Sequence, residues 1–189
     1  MRGEVAPIVK DVTRELHVEL GTGKGDFITQ IAERNPQINF IGLEVEPTCV
    51  LAAARKVREK NLPNVRLIIF DVANVAEIFA EHAVDRLYIN FCDPWPKKRH
   101  AKRRLTNVRF LELYKKILKR GGEIFFKTDN RPLFDYSLEQ FAEAGLDVRD
   151  VTNDLHANEP IENVRTEYEN KFSEQGVPIN FCVVKFGNE

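Results

Sequence analysis

The chain has 189 residues, 43% hydrophobic and 30% charged, which excludes a disordered chain and fits one domain spanning residues 1–189. Its 28 Lys+Arg and 29 Asp+Glu give a net charge of −1, a balance that by itself argues against a nucleic-acid binder. Yet six of those cations and one His fall in KKRHAKRR at 97–104; without the six, 22 cations face 29 acids, a net of −7.

Taken in order, ELHVEL at 15–20 reads as a strand, broken sharply by the glycine-rich GTGKGD. Residues 25–34 read as a helix with Phe27, Ile28 and Ile31 on one face. A second strand, NFIGLEV at 39–45, precedes a helix that opens on Pro47, where a missing N–H is harmless. VRLIIFD at 65–71 is the third strand and 74–82 a short helix; DRLYINF at 85–91 is the fourth strand, ended by Pro94 and Pro96. Thr106 and Asn107 can cap a helix to about Lys119, which Gly121 and Gly122 stop. EIFFKTD at 123–129 follows, then a helix after Pro132 to about Ala144 and a strand near 146–152. A polar loop then leads to a last strand near 179–186. Strand–helix alternation with continuous apolar strands predicts a parallel sheet covered on both faces, with mixed direction at one edge.

An open sheet of this kind binds ligands beyond the carboxyl ends of its strands. Those ends read Glu19-Leu20-Gly21-Thr22-Gly23-Lys24-Gly25, Glu44, Asp71, Asp93-Pro94-Trp95-Pro96 and Lys127-Thr128-Asp129. Any one acid could simply cap the next helix. Acids at all five ends converge on one crevice. The glycine loop is GxGxG, with Asp26 where a dinucleotide fingerprint needs its third glycine. Glu44, 23 residues after Gly21, has the spacing of a carboxylate that receives ribose hydroxyls. Glu19 and Asp71 add negative charge suited to a ligand with amino and cationic groups. S-adenosylmethionine fits that description.

Cys49, Cys92 and Cys182 form no CxxC pair, and the histidines at 17, 82, 100 and 156 have no metal-binding spacing. No disulfide or metal is expected, and a reducing cytoplasm is the expected compartment. No apolar run approaches the roughly 18 residues of a membrane span, and MRGEVAPIVKDV lacks an apolar signal core. The basic run follows directly on the fourth strand end, where it suits a clamp on nucleic-acid phosphates.

The stretch NFCDPWPKKRHAKRRL resembles the NF(P/S)DPWPKKRHxKRRL signature of the bacterial tRNA (guanine-N7-)-methyltransferases, class I S-adenosylmethionine-dependent enzymes. FKTDN at 126–130, TEYENKF at 166–172 with Gly176 and Ile179, VELGTGKG and GLEVE extend the resemblance over roughly residues 16–180. It implies a Rossmann-like α/β fold, a mostly parallel seven-stranded sheet with an antiparallel edge strand and helices on both faces. It implies cofactor contacts at Glu19, Gly21, Gly23, Glu44, Asp71 and Asp93, with Asp93 also at the catalytic centre. Lys97, Asp129, Thr166, Glu167, Tyr168 and Glu169 match its substrate positions; Arg99, His100, Lys102, Arg103 and Arg104 match its RNA-contacting stretch. The implied partner is tRNA, methylated at the variable-loop guanosine, position 46 in standard tRNA numbering, by a monomer or homodimer. Two departures are a shorter stretch ahead of the first strand than the family's usual N-terminal arm, and Cys92 where Pro or Ser is usual. Two alternatives are an amino-methylating enzyme, whose loop would place the aromatic one residue later, and a non-catalytic RNA-binding protein on the same fold.

Guanine N7 has a free lone pair, so its methylation needs alignment and electrostatics rather than a general base. Asp93 and Asp129 are expected to accept from guanine N1–H and N2–H. Trp95 either stacks on a base or packs under its own proline turn.

Overall fold

Alternate side chains of β1 (Leu16–Leu20) point to opposite faces, and all five residues are buried. The computed structural model describes residues 13–160 and 162–187, so the N-terminal stretch read above lies outside it. On one face Val18 and Leu20 join Ile41 of β2 (Asn39–Glu44), Leu87 of β4 (Val84–Asn90) and Phe126 of β5 (Leu118–Thr128). Helices α3 (Val108–Ile117) and α4 (Arg131–Glu143) close that face with Phe110, Tyr114, Phe134 and Phe141. On the other face α1 (Asp26–Arg34) lays Phe27, Ile28 and Ala32 against Phe40 and Tyr88. Each fully buried side chain of this size stabilises the fold by roughly 1.5–3 kcal/mol.

The remaining strands are β3 (Val65–Ile69), β6 (Asp147–Thr152) and β7 (Asn180–Lys185), in the sheet order β3-β2-β1-β4-β5-β7-β6. β1 to β5 pair in parallel, while β7 runs antiparallel to both β5 and β6. The mixed direction therefore sits at one end of the sheet, with β7 inserted one place in and β6 forming the margin. The order reverses between β1 and β4, and there the strand ends open a crevice.

Pro47 occupies the first turn of α2 (Pro47–Glu59), and the Asn107 and Asn130 side chains cap α3 and α4. Three local readings change. Residues 74–82 do not form an α-helix; a 3₁₀ segment at Val72–Glu77 is capped by Asp71 instead. α3 ends at Ile117, before the glycines, because Leu118 is already extended and paired with Val84. Gly121, at φ 72°, then forms an irregularity inside β5. The polar stretch before β7 contains a further helix, α5 (Glu167–Glu174), with a Thr166/Glu169 capping box.

Gly25 joins the glycine loop to α1 at φ 81°, and a Cβ there would lie 2.6 Å from the Ala53 Cβ of α2. Gly25→Ala combines left-handed strain with overpacking and is expected to destabilise the chain by about 2–4 kcal/mol. Urea unfolding checks this; a change below about 1 kcal/mol contradicts the packing role.

Candidate active site

Gly21 and Thr22 donate their N–H groups to the Leu43 carbonyl at 2.9 and 3.0 Å, tying the glycine loop to the end of β2. Gly21 and Gly23 have φ of 80° and 55°, and a Cβ on either would meet nothing within 4 Å. They are glycines for backbone conformation, and they leave the space above the loop clear. One Glu44 oxygen accepts from Gly23 N at 2.9 Å, and the other from Val45 N and Glu46 N at 2.8 and 3.0 Å. Its carboxylate is thereby fixed in orientation across the loop. Asp71 is held in the same way by Ala73 N at 2.9 Å.

Glu19 differs because it is buried. Its Oε1 accepts from the Asn90 amide at 3.0 Å, while Glu19 Oε2 and Asn90 Oδ1 have no hydrogen-bond partner among the described residues. Burial pushes the Glu19 carboxyl up to about 8, against the opposing pull of Asn90 and of the Lys127 charge.

These carboxylates line one cavity of about 770 Å³ with Asp93, exposed beyond the end of β4. Asp93 sits between two non-glycine residues in the left-handed region, Phe91 at φ 51° and Trp95 at φ 42°. Each such residue costs of order 1–3 kcal/mol and persists only where its surroundings hold it. Arg104 is one of those supports: its Nε and Nη2 donate to the Pro94 and Trp95 carbonyls at 2.9 and 3.0 Å. Its guanidinium also lies 4.2 Å from the centre of the Tyr136 ring. Expected to contact RNA, Arg104 is a brace for the Asp93 loop.

Lys97, Lys98, Arg99, Lys102 and Arg103 are exposed. Lys98–Arg103 forms an outward 3₁₀ segment, and no ion pair among the described residues involves Lys97, Lys98, Arg99, Lys102 or Arg103. Lys102 and Arg103 reach the cavity wall, and the Arg103 guanidinium lies 4.8 Å from the Trp95 ring centre. His100 meets that ring edge-on at 5.7 Å. Three further cations, Lys24, Arg109 and Lys171, line the same cavity. Two of them come from helices outside the basic run, so a count along the sequence does not reveal them.

Of the positions matched to substrate, Thr166, Glu167 and Tyr168 line the cavity; Lys97 and Asp129 do not. Tyr168 is exposed and stacks on Phe91 at 6.4 Å. Glu169 has a different place. It is fully buried, and its oxygens accept from Lys127 at 2.7 Å, Asn163 at 2.8 Å and Thr166 N at 3.3 Å, with His156 at 2.9 Å. Glu169 is a structural anchor for α5, with no oxygen left facing the cavity. His156, Glu159 and Glu169 bring possible metal-ligand atoms within 4.8 Å of one another, but the Lys127 ammonium already supplies positive charge there.

A seven-stranded sheet in this order, with acidic strand ends around one crevice, defines the class I S-adenosylmethionine-dependent methyltransferases. Residues 13–182 match the family model described as "Putative methyltransferase". A solved methyltransferase from Aquifex aeolicus superposes with a TM-score of 0.62 at 14% identity, over 91% of this chain and 83% of that one. The tRNA (guanine-N(7)-)-methyltransferase of Streptococcus mutans is 52% identical over 171 residues, 90% of this chain and 81% of the relative. That of Macrococcus caseolyticus is 47% identical over 176 residues, 93% and 84% respectively. The chain belongs to the tRNA (guanine-N(7)-)-methyltransferase family.

Proposed function

We propose that this chain transfers a methyl group from S-adenosylmethionine to N7 of the variable-loop guanosine 46 of tRNA. The carrying observation is one cavity that has fixed carboxylates on its β1–β3 side and, around the Asp93 loop, cations that form no ion pair among the described residues. When bound, S-adenosylmethionine supplies a methyl carbon made electrophilic by its sulfonium. Glu44, held by three backbone N–H groups, is set to receive ribose hydroxyls. The buried Glu19 and Asn90 acceptors lack donors, which fits a ligand bringing N–H groups. Asp93 accepts from the guanine edge and offsets the positive charge that moves onto the base. No side chain has to remove a proton from N7. Arg103 occupies one side of the Trp95 ring, so Trp95 acts chiefly as a wall of the pocket and a seat for that cation.

The direct test is methyl transfer to unmodified tRNA followed by mapping of the product. A borohydride–aniline cleavable site at position 46 is expected; a methyl group on an exocyclic amine contradicts the reading. Replacing Arg99, Lys102 and Arg103 together by Ala should weaken tRNA binding and lower its salt slope by up to about three. Affinity for the methyl donor should stay within about twofold, because none of these residues forms an ion pair with Glu19, Glu44 or Asp71. Unchanged tRNA binding would remove the clamp. A cytoplasmic location accords with this substrate; among the described residues no helix is long and apolar enough to cross a membrane.

A further inference from the structure

The Asp93 loop needs an outside restraint to keep its shape. Pro96 disposes the residue before it to extended backbone, yet Trp95 holds φ 42°. Arg104 supplies the restraint, because its two donors span the carbonyls of Pro94 and Trp95. Lys102, Arg103 and Leu105 line the cavity, but Arg104 does not. Its guanidinium instead stands 4.2 Å from the centre of the Tyr136 ring on α4, a residue also outside the cavity wall. No ion pair among the described residues involves Arg104. With two carbonyls and a ring face as partners, and no carboxylate, the fork takes its direction from that ring.

Tyr136 is itself fixed. Its hydroxyl accepts from Asn107 Nδ2 at 2.6 Å and donates to Gln140 Oε1 at 3.2 Å. Gln140 Oε1 also accepts from Asn107 Nδ2 at 2.9 Å and from Val108 N at 3.0 Å. One residue earlier in each segment, the hydroxyls of Thr106 and Ser137 meet at 2.7 Å, both fully buried. These bonds fix the chain that follows Arg104 to one face of α4. Buried polar groups are costly unless paired, and a paired set specifies one arrangement where apolar contact would tolerate sliding.

We propose that Tyr136 is a positioning residue for methyl transfer: its ring aims the Arg104 guanidinium at the Pro94 and Trp95 carbonyls and so holds Asp93 at the reacting end. The proposal rests on the Asp93 reading above and adds to it a residue that lies outside the cavity. Arg104 then has a task different from that of its neighbours in KKRHAKRR, one set by the shape of its fork rather than by its charge. A lysine ammonium is a point charge and cannot span two carbonyls in a fixed fork.

Arg104→Lys therefore separates shape from charge. Single-turnover methylation of unmodified tRNA should slow by roughly 10²-fold, the usual cost of displacing a reacting group by about 1 Å. Affinity for tRNA and its salt slope should stay within about twofold, because the charge is kept. Tyr136→Leu should lower the same rate by about tenfold, and Tyr136→Phe, which keeps the ring, by less than about threefold. In an Asp93→Asn background either Arg104→Lys or Tyr136→Leu should cost less than about threefold more, since the group being positioned is gone. Trp95 is the only tryptophan, so its emission reports the loop in the absence of substrate. Both Arg104→Lys and Tyr136→Leu should increase its quenching by acrylamide.

An Arg104→Lys rate within about threefold of the unaltered chain overturns the proposal, as does a loss of tRNA affinity as large as the loss of rate. Equal losses for Tyr136→Leu and Tyr136→Phe, full additivity with Asp93→Asn, or unchanged Trp95 quenching also overturn it. Tyr136→Leu leaves Arg104 in place and decides the matter where Arg104→Lys fails to fold. An unaltered chain that does not methylate tRNA refutes the proposed function itself, a separate failure.

Discussion

Lys127→Met should destabilise the chain by about 3–5 kcal/mol, the cost of removing one partner from a buried ion pair. Lys127 and Glu169 are both buried, and all three ammonium hydrogens have acceptors: Glu169 at 2.7 Å, the Val164 carbonyl at 2.9 Å and Asn163 Oδ1 at 3.0 Å. Burial works to raise the Glu169 carboxyl, but the Lys127 ammonium, with Asn163 and His156, outweighs it and holds the carboxyl below its ordinary value. Met fills the space of the Lys stem and supplies no charge, so Glu169 is left ionised in an apolar setting or must take up a proton. The loss is a large share of the roughly 5–15 kcal/mol that holds a domain together. Thermal unfolding should show a midpoint lower by roughly 10 °C. The consequence reaches the site, because Glu169 closes the capping box of α5 and that helix brings Glu167 and Tyr168 to the cavity. A double replacement, Lys127→Met with Glu169→Met, should recover much of the stability, since no charge is then stranded. It should not recover RNA methylation, since the α5 cap is still missing. A single Lys127→Met variant within about 1 kcal/mol of the unaltered chain would sink this account.

The same residues show where sequence reading reaches its limit. Glycines before α1, Pro47 and the acidic strand ends are legible because local backbone rules and the strand–helix alternation fix their positions. α5 is hidden because its inward anchor is a carboxylate: Glu169 is its only buried residue, so no apolar stripe marks the helix. The signal present was Thr166 followed by Glu169, a capping-box spacing. Arg104 reads as one more cation in KKRHAKRR, and only the folded loop shows its Nε and Nη2 turned onto the carbonyls of Pro94 and Trp95. Asp129 ends β5 as the other acids end their strands, yet it stays outside the cavity wall. Lying at a strand end places a residue near the crevice; the turn that follows decides whether the side chain enters it. Asn90 was in plain view beside Asp93, but its unpartnered oxygen exists only through the pairing of β1 and β4.

That difference between the two aspartates changes the expected result at the reacting end. Both were expected to hold the guanine edge, but only Asp93 lines the cavity. Asp93→Asn should therefore lower the rate of methyl transfer by about 10²–10³, the usual loss when one preorganised charge-stabilising group is removed. The charge is what matters: Asn keeps the size and an acceptor oxygen but cannot offset the positive charge that passes from sulfur to the guanine ring. The loss should fall mainly on the single-turnover rate, with tRNA affinity within a few-fold, if the proposed clamp of Lys97, Lys98, Arg99, Lys102 and Arg103 carries binding through release of counterions. Asp129→Asn should stay within about tenfold of the unaltered enzyme, a second-order effect on the turn that leads into α4. The loop geometry sharpens the contrast. Phe91 and Trp95 hold strained backbone on either side of Asp93, so the carboxylate is placed by a frame already formed before substrate arrives. Single-turnover assays on unmodified tRNA compare the two variants under one set of conditions. An Asp129→Asn variant more impaired than Asp93→Asn would reverse the assignment and move the guanine edge toward the end of β5.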